Sequence, residues 1–299
     1  MRTRITDALK SGKILISDGA WGTILQLNGL QPGECPELWN ITHPEQVRAI
    51  AESYIAAGAD LVETNSFGGS CFKLEHFGLA GRVTELNEAA ARLSREAAGN
   101  DKWVIGSVGP TGKMLVMSDV TEEELYDAFK TQAIALEKGG ADAICIETMS
   151  DPDEARIAIK AAKENTGLEV ICTFTFDAAG ENNFYTMMGL TPAQAAQAAQ
   201  AAGADVIGSN CGNGIANMIK IVEQLREAAP DIPVMVQANA GLPEMKDGKT
   251  VYPESPEHMA GFVPEIIRAG ANIIGGCCGT TPAHIEAIHK TIKNGRLTK

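Results

Sequence analysis

No run of about 18 apolar residues occurs in the 299-residue chain, so no segment is expected to cross a membrane. The opening stretch, MRTRITDALKSGKILISDG, lacks the apolar core and small-residue cleavage pattern of a signal peptide. Positive charge is scarce. With 25 Lys and Arg against 38 Asp and Glu, the net charge is −13 and no basic stripe is visible, so a nucleic-acid partner is not expected. The acidity also argues against anionic membranes, but it says nothing about fold. Aromatic residues are only 5%, yet 44% of the chain is hydrophobic, enough for a sizeable core. No GxGxxG follows the first apolar run, and no low-complexity segment or linker divides the sequence. Cysteines number seven, an odd count in a long chain without export signals, which points to reduced thiols and a cytoplasmic location.

What is present is a rhythm. Eight short apolar runs (13–20, 59–65, 103–109, 141–148, 168–176, 204–211, 232–241 and 271–279) alternate with eight Ala/Glu/Lys-rich helical segments. Four helical segments open on a capping residue followed by proline: Asp151-Pro152, Thr191-Pro192, Ser255-Pro256 and Thr281-Pro282. Four close on Gly-Ala just before the next strand, at Gly58, Gly140, Gly203 and Gly270, where glycine suits the left-handed helix stop. Length alone would suggest two domains, but α/β barrels run this long as one. Eight strand–helix units are the number that closes a (β/α)8 TIM barrel, so residues 1–299 read as one barrel domain, with an open doubly wound sheet as the alternative. Longer insertions at 21–44 and 66–81 are expected to form loops over one end.

Barrel enzymes carry their chemistry at the C-terminal ends of the strands. Those positions here are polar: Asp18, Glu63, Thr64, Asn65, Glu147, Thr148, Asn210, Cys211, Asn239, Cys277 and Cys278. Cys145 and Cys172 fall inside apolar runs and read as small core residues, whereas Cys35 and Cys71 lie in loops. The motif IIGGCCGTTP at 273–282 places two cysteines side by side among glycines. Adjacent residues of a strand face opposite ways, so the pair shares a ligand only where the strand kinks, which flanking glycine permits. Strands six and eight are second neighbours around a barrel, so Cys211 can join Cys277 and Cys278 over the mouth. A vicinal disulfide, three unrelated thiols and a structural four-cysteine site are the competing readings. Three thiolates with one open position is the donor set of a catalytic zinc site.

Three thiolates leave zinc with a formal charge of −1, poor for generating hydroxide but suited to holding a fourth thiolate that stays nucleophilic. The chemistry expected is alkyl transfer to a thiol. Asp18 and Glu147, on the same rim, are candidates to hold a substrate ammonium, with rim salt bridges or helix caps as the plainer alternatives. The backbone N–H groups of the Gly19–Gly22 turn, including Ala20, are placed to receive a carboxylate.

The motifs SDGAWGT (17–23), ETNSFG (63–68), VGPTG (108–112), IET (146–148), GSNCG (208–212), NAGLP (239–243) and GGCCGTTP (275–282) resemble the homocysteine S-methyltransferase domain. The resemblance runs from about residue 10 to 292 and is closest to the N-terminal domain of cobalamin-dependent methionine synthases. It implies Zn2+ on Cys211, Cys277 and Cys278 as the catalytic centre, and methyl transfer to homocysteine to give methionine. It also implies Asp18 and Glu147 at the homocysteine amino group, and Asn239 in the fourth zinc position when thiol is absent. Glu63, Thr64 and Asn210 complete the expected substrate contacts. Trp21 and Ala238 depart from the methionine and proline common in the family. No DxHxxG cobalamin signature is present, so methylcobalamin is expected on a separate corrinoid protein or domain. A free donor (S-methylmethionine, S-adenosylmethionine or betaine) and a non-catalytic, zinc-binding corrinoid-docking module are the alternatives.

Overall fold

The computed structural model describes residues 3–246 and 249–295, so the two ends of the 1–299 span, including residues 1 and 2 of the N-terminal stretch, lie outside the described residues. Eight strands form one sheet: β1 (Leu15–Ile16), β2 (Leu61–Glu63), β3 (Trp103–Val108), β4 (Ala143–Met149), β5 (Glu169–Phe174), β6 (Val206–Gly214), β7 (Val234–Asn239) and β8 (Ile273–Gly276). Their order is β1-β8-β7-β6-β5-β4-β3-β2, and every ladder is parallel. The two ends of this order meet. Asp60 donates its N–H to the Ile16 carbonyl at 2.7 Å, and its carboxylate accepts the Ile16 N–H at 3.2 Å. The fold is therefore a nearly closed (β/α)8 barrel, and the open doubly wound sheet is excluded, since its edge strands would lie apart.

That seam contact is one of four. Each Gly-Ala pair is followed by Asp or Asn, and each of these residues bonds the preceding odd-numbered strand in the same two ways. The Asp142, Asp205 and Asn272 N–H groups donate to the carbonyls of Val104, Val170 and Val234 at 2.7–2.8 Å. Their side chains accept the N–H groups of the same three residues at 2.8, 2.7 and 3.0 Å. A basic side chain braces each: Lys13 and Lys102 on Asp60, Arg95 on Asp142, Lys163 on Asp205, Arg226 on Asn272. The strand starts are thereby fixed, and the C-terminal ends are left to differ.

Inside the barrel, Leu15, Leu61, Ile105, Ala143, Cys145, Ile171, Val206, Met235 and Ile273 form one buried cluster to which every strand contributes. Ile5 and Leu9, on the short helix Ile5–Leu9, plug it from below. That helix is held by Glu169, which accepts the N–H groups of Ile5 at 2.6 Å and Thr6 at 3.1 Å. Cys145 and Cys172 are fully buried, as expected of core residues.

The helices begin at the proline after each expected cap: Pro152, Pro192, Pro256 and Pro282. Two expectations are corrected. The segment 255–270 is two helices, Pro256–Gly261 and Val263–Ala269, because Pro264 near the start of the second cannot continue an i−4 ladder. The insertions 21–44 and 66–81 are not plain loops. They contain the helices Trp21–Leu27, Trp39–Thr42 and Cys71–Glu75.

Candidate active site

Both elements that carry the cysteines bend where they need to. In β6 the ladder to β7 slips between Asn210 and Gly214, and Cys211 sits in the left-handed region at φ 58°. A non-glycine residue there stores strain, of a kind that clusters at functional sites. At the end of β8, Cys277 keeps the ladder by donating its N–H to Ala238 at 2.7 Å, and then the chain turns, with Thr280 N–H on the Cys277 carbonyl at 3.1 Å. Gly279 takes the φ of 80° that this turn requires, and a Cβ on it would lie 2.1 Å from the Tyr252 ring. The turn lets adjacent side chains face one centre. The sulfurs of Cys211, Cys277 and Cys278 all lie within 4.8 Å of one another, with Cys211 and Cys278 at 3.9 Å.

This donor set fits a zinc ion. The only group of three or more potential ligand residues found among the described residues is this one. Asn239, the expected alternative fourth ligand, has a buried Oδ1 with no partner among the described residues. Its neighbours Ala238 and Ala240 bond the Cys277 N–H and the Cys278 carbonyl, so its backbone runs alongside the cysteine pair. The protons are unevenly shared. Cys211 and Cys277, with Tyr252, donate to Cys278 and hold it down to about 3. Cys277, which serves Cys211 and Cys278 as a donor, is pushed well above the ordinary thiol value. Of the three, Cys278 is the one its neighbours favour most as the thiolate.

The sulfurs border a cavity of about 280 Å3 in the barrel mouth, lined by Gly19, Ala20, Glu63, Thr64, Glu147 and all three cysteines, and by Trp21, Glu37, Ser107 and Gln237 among others. Among the described residues, no Lys, Arg or His lines it. Glu147 accepts from Ser107 Oγ on one oxygen and from Asn210 Nδ2 at 3.2 Å on the other. Burial pushes Glu147 up to about 7 and Asp18 likewise, and raises Glu63 well above the carboxylate range, with Glu147 next in effect.

Three expected residues lie off the cavity wall. Asp18 is fully buried, with one oxygen taken by Trp21 Nε1 and the Glu63 N–H, both at 2.8 Å. Asn210 is a latch between strands: its Oδ1 accepts Thr148 N–H and Thr173 Oγ1, and its amide group reaches Glu147, Thr148 and, at 3.9 Å, Cys277. Asn239 lies between the two alanines that bond the Cys277–Cys278 backbone.

A family model for homocysteine S-methyltransferase matches residues 15–292. The chain belongs to the homocysteine S-methyltransferase family. Methionine synthases of Mycobacterium tuberculosis and Mycobacterium leprae are 33% and 32% identical to it, covering 98% and 95% of the chain. The chain spans about a quarter of the length of these relatives, 26% and 25%. Among solved structures, the metallated form of the homocysteine methyltransferase MmuM from Escherichia coli has the same fold. Its TM-score is 0.76 at 23% identity, over 95% of this chain and 98% of that one.

Ser107 and Gln237 were not expected from the sequence, although a signal existed. Inward residues recur with a period of two, so the column Ala143, Cys145, Glu147 has counterparts in Ile105, Ser107 and in Met235, Gln237, Asn239. Counting that period up each strand marks both. Glu37 carried no comparable signal. It enters the wall from the first insertion and is placed by accepting the Gly68 N–H at 2.7 Å.

Proposed function

We propose that residues 1–299 act as one homocysteine-binding barrel domain that transfers a methyl group to the homocysteine thiol, giving methionine, with zinc on Cys211, Cys277 and Cys278. One observation carries this reading: three convergent sulfurs border a cavity whose wall, among the described residues, holds carboxyl groups and no basic side chain. Such a cavity suits a molecule with a thiol at one end and an ammonium at the other. Zinc on three thiolates supplies an electron-rich centre that keeps an added thiol deprotonated near neutral pH while its sulfur stays nucleophilic.

The chain's own residues do the rest. Glu147 and Glu63 face the ammonium. Asp18 acts through its neighbours, holding Trp21 and the Glu63 backbone in place. The substrate carboxylate is directed to the Gly19–Gly22 turn, where Thr280 Oγ1 already takes the Ala20 N–H at 3.1 Å. That leaves the first-turn donors of the helix Trp21–Leu27, which have no acceptor within the helix. Thr64 shapes the wall by accepting the Ser107 N–H at 3.0 Å. Asn210 steadies Glu147 and Cys277 together.

We assign the methyl donor as methylcobalamin on a corrinoid-binding domain, in a longer form of the same polypeptide or in a separate protein. The much longer methionine synthase relatives support that assignment. A cytoplasmic location is supported by the seven free cysteines, and no described helix is long and apolar enough to cross a membrane. The test is to assay purified, zinc-loaded protein with homocysteine against methylcobalamin, S-methylmethionine, S-adenosylmethionine and betaine. Homocysteine-dependent demethylation of methylcobalamin supports the proposal. Turnover only with a free donor replaces the corrinoid, and no turnover with any donor leaves a zinc-binding docking module.

A further inference from the structure

We infer that Gln237 is a substrate-selecting residue: with Glu63 it forms an acceptor pair on the cavity wall for the ammonium group of an amino-acid thiol. The inference rests on the reading of the site given above. Gln237 is 2% exposed and lines the cavity. Its Nε2 donates to Glu63 Oε1 at 2.8 Å, which fixes the amide and turns its oxygen away from Glu63. That Oε1 is buried and has no partner among the described residues. An unpaired buried amide oxygen is a standing cost unless a donor fills the place beside it.

The pair is bound into the rest of the site. Glu63 is anchored through its backbone, with its N–H on Asp18 at 2.8 Å and its carbonyl on Ser94 Oγ at 2.7 Å. Gln237 is registered between Asn210 on β6 and Gly275 on β8, the two strands that deliver the cysteines. An amide oxygen and a carboxylate side by side, in a cavity that Glu147 also lines, match the three N–H donors and the charge of a primary ammonium. A thiol lacking the amine leaves Gln237 Oε1 unpaired, and a site built to hydrogen-bond a substrate group rejects analogues without it.

The test is calorimetric titration of the full, zinc-loaded chain with L-homocysteine and with 4-mercaptobutyrate, the same thiol without its amino group. Wild type should prefer homocysteine. Gln237→Met should weaken homocysteine by about tenfold to hundredfold while leaving 4-mercaptobutyrate within about twofold and zinc stoichiometry unchanged. Gln237→Glu keeps an acceptor oxygen and should recover most of the homocysteine affinity, which separates recognition from folding. Equal losses for both thiols, or unchanged homocysteine binding in Gln237→Met, overturn the inference. Wild type that binds both thiols equally also overturns it but leaves the thiol site standing. Wild type that binds neither thiol sinks the reading of the site as well.

Discussion

Replacing Glu147 by Gln should change stability in opposite directions at low and high pH. In the folded protein burial raises this carboxyl from 4.5 to about 7, against the hydrogen bond from Ser107. Between those values the folded state holds a proton that the unfolded chain has released. Stability is therefore present in full below about pH 4.5 and falls as pH rises through about 7. The difference of roughly 2.5 units corresponds to about 3 kcal/mol. Glu147→Gln removes that loss but has a cost of its own. Asn210 cannot turn to meet a glutamine amide, because its Oδ1 already accepts Thr148 N–H and Thr173 Oγ1. The glutamine must therefore turn its oxygen to Asn210 and its amide group to Ser107 Oγ, whose hydroxyl hydrogen then loses its acceptor, a loss of about 1 kcal/mol. The variant should thus be about 1 kcal/mol less stable than wild type at pH 4 and about 2 kcal/mol more stable at pH 8. Urea unfolding of both proteins at both pH values measures it, and the thiol contributions cancel in the difference. At pH 8 the same variant should bind homocysteine about tenfold to hundredfold more weakly. A stability difference of the same sign and size at both pH values would refute the idea that this carboxyl sits buried without a cation.

Homocysteine affinity should strengthen as pH rises through about 7, where Glu147 ionises, and a titration series that is flat from pH 6 to 8 would count against ammonium recognition by this carboxyl. Cys278→Ala should lose zinc under mild chelation together with all methyl transfer, checked by metal analysis. Gly279→Ala places a Cβ 2.1 Å from Tyr252 at a φ of 80°, so it should cost about 2–3 kcal/mol by strain and overpacking and lower zinc affinity in a competition assay. Glu169→Ala frees the N–H groups of Ile5 and Thr6. It should cost about 1.5–3 kcal/mol in denaturant unfolding while leaving homocysteine binding unchanged.

The barrel was legible because its units share a repeated chemistry: an apolar strand in all eight, a proline-capped helix start in four and a Gly-Ala stop in four. The four Asp and Asn residues after those stops lie in the same repeat, though their work at the strand starts needs the coordinates to be seen. The cysteine cluster was legible because its sulfurs fall at strand ends two strands apart. Asp18 was harder. Its place in the sequence is the same as that of a wall residue, but a tryptophan three positions later turns its indole onto the carboxylate and seals it off. Gln237 hid in an apolar run, where one polar residue looks like noise until the inward period of two is counted. The break at Pro264 was visible in the sequence and was outweighed by the helical pattern around it.

The central claim is that three sulfurs hold one zinc ion with a place left for an incoming thiol. X-ray absorption at the zinc edge counts those sulfurs directly. The account predicts three per zinc in the resting protein and four after homocysteine is added, with one zinc per chain. A count that stays at three with homocysteine bound, or that is already four before it is added, would contradict it.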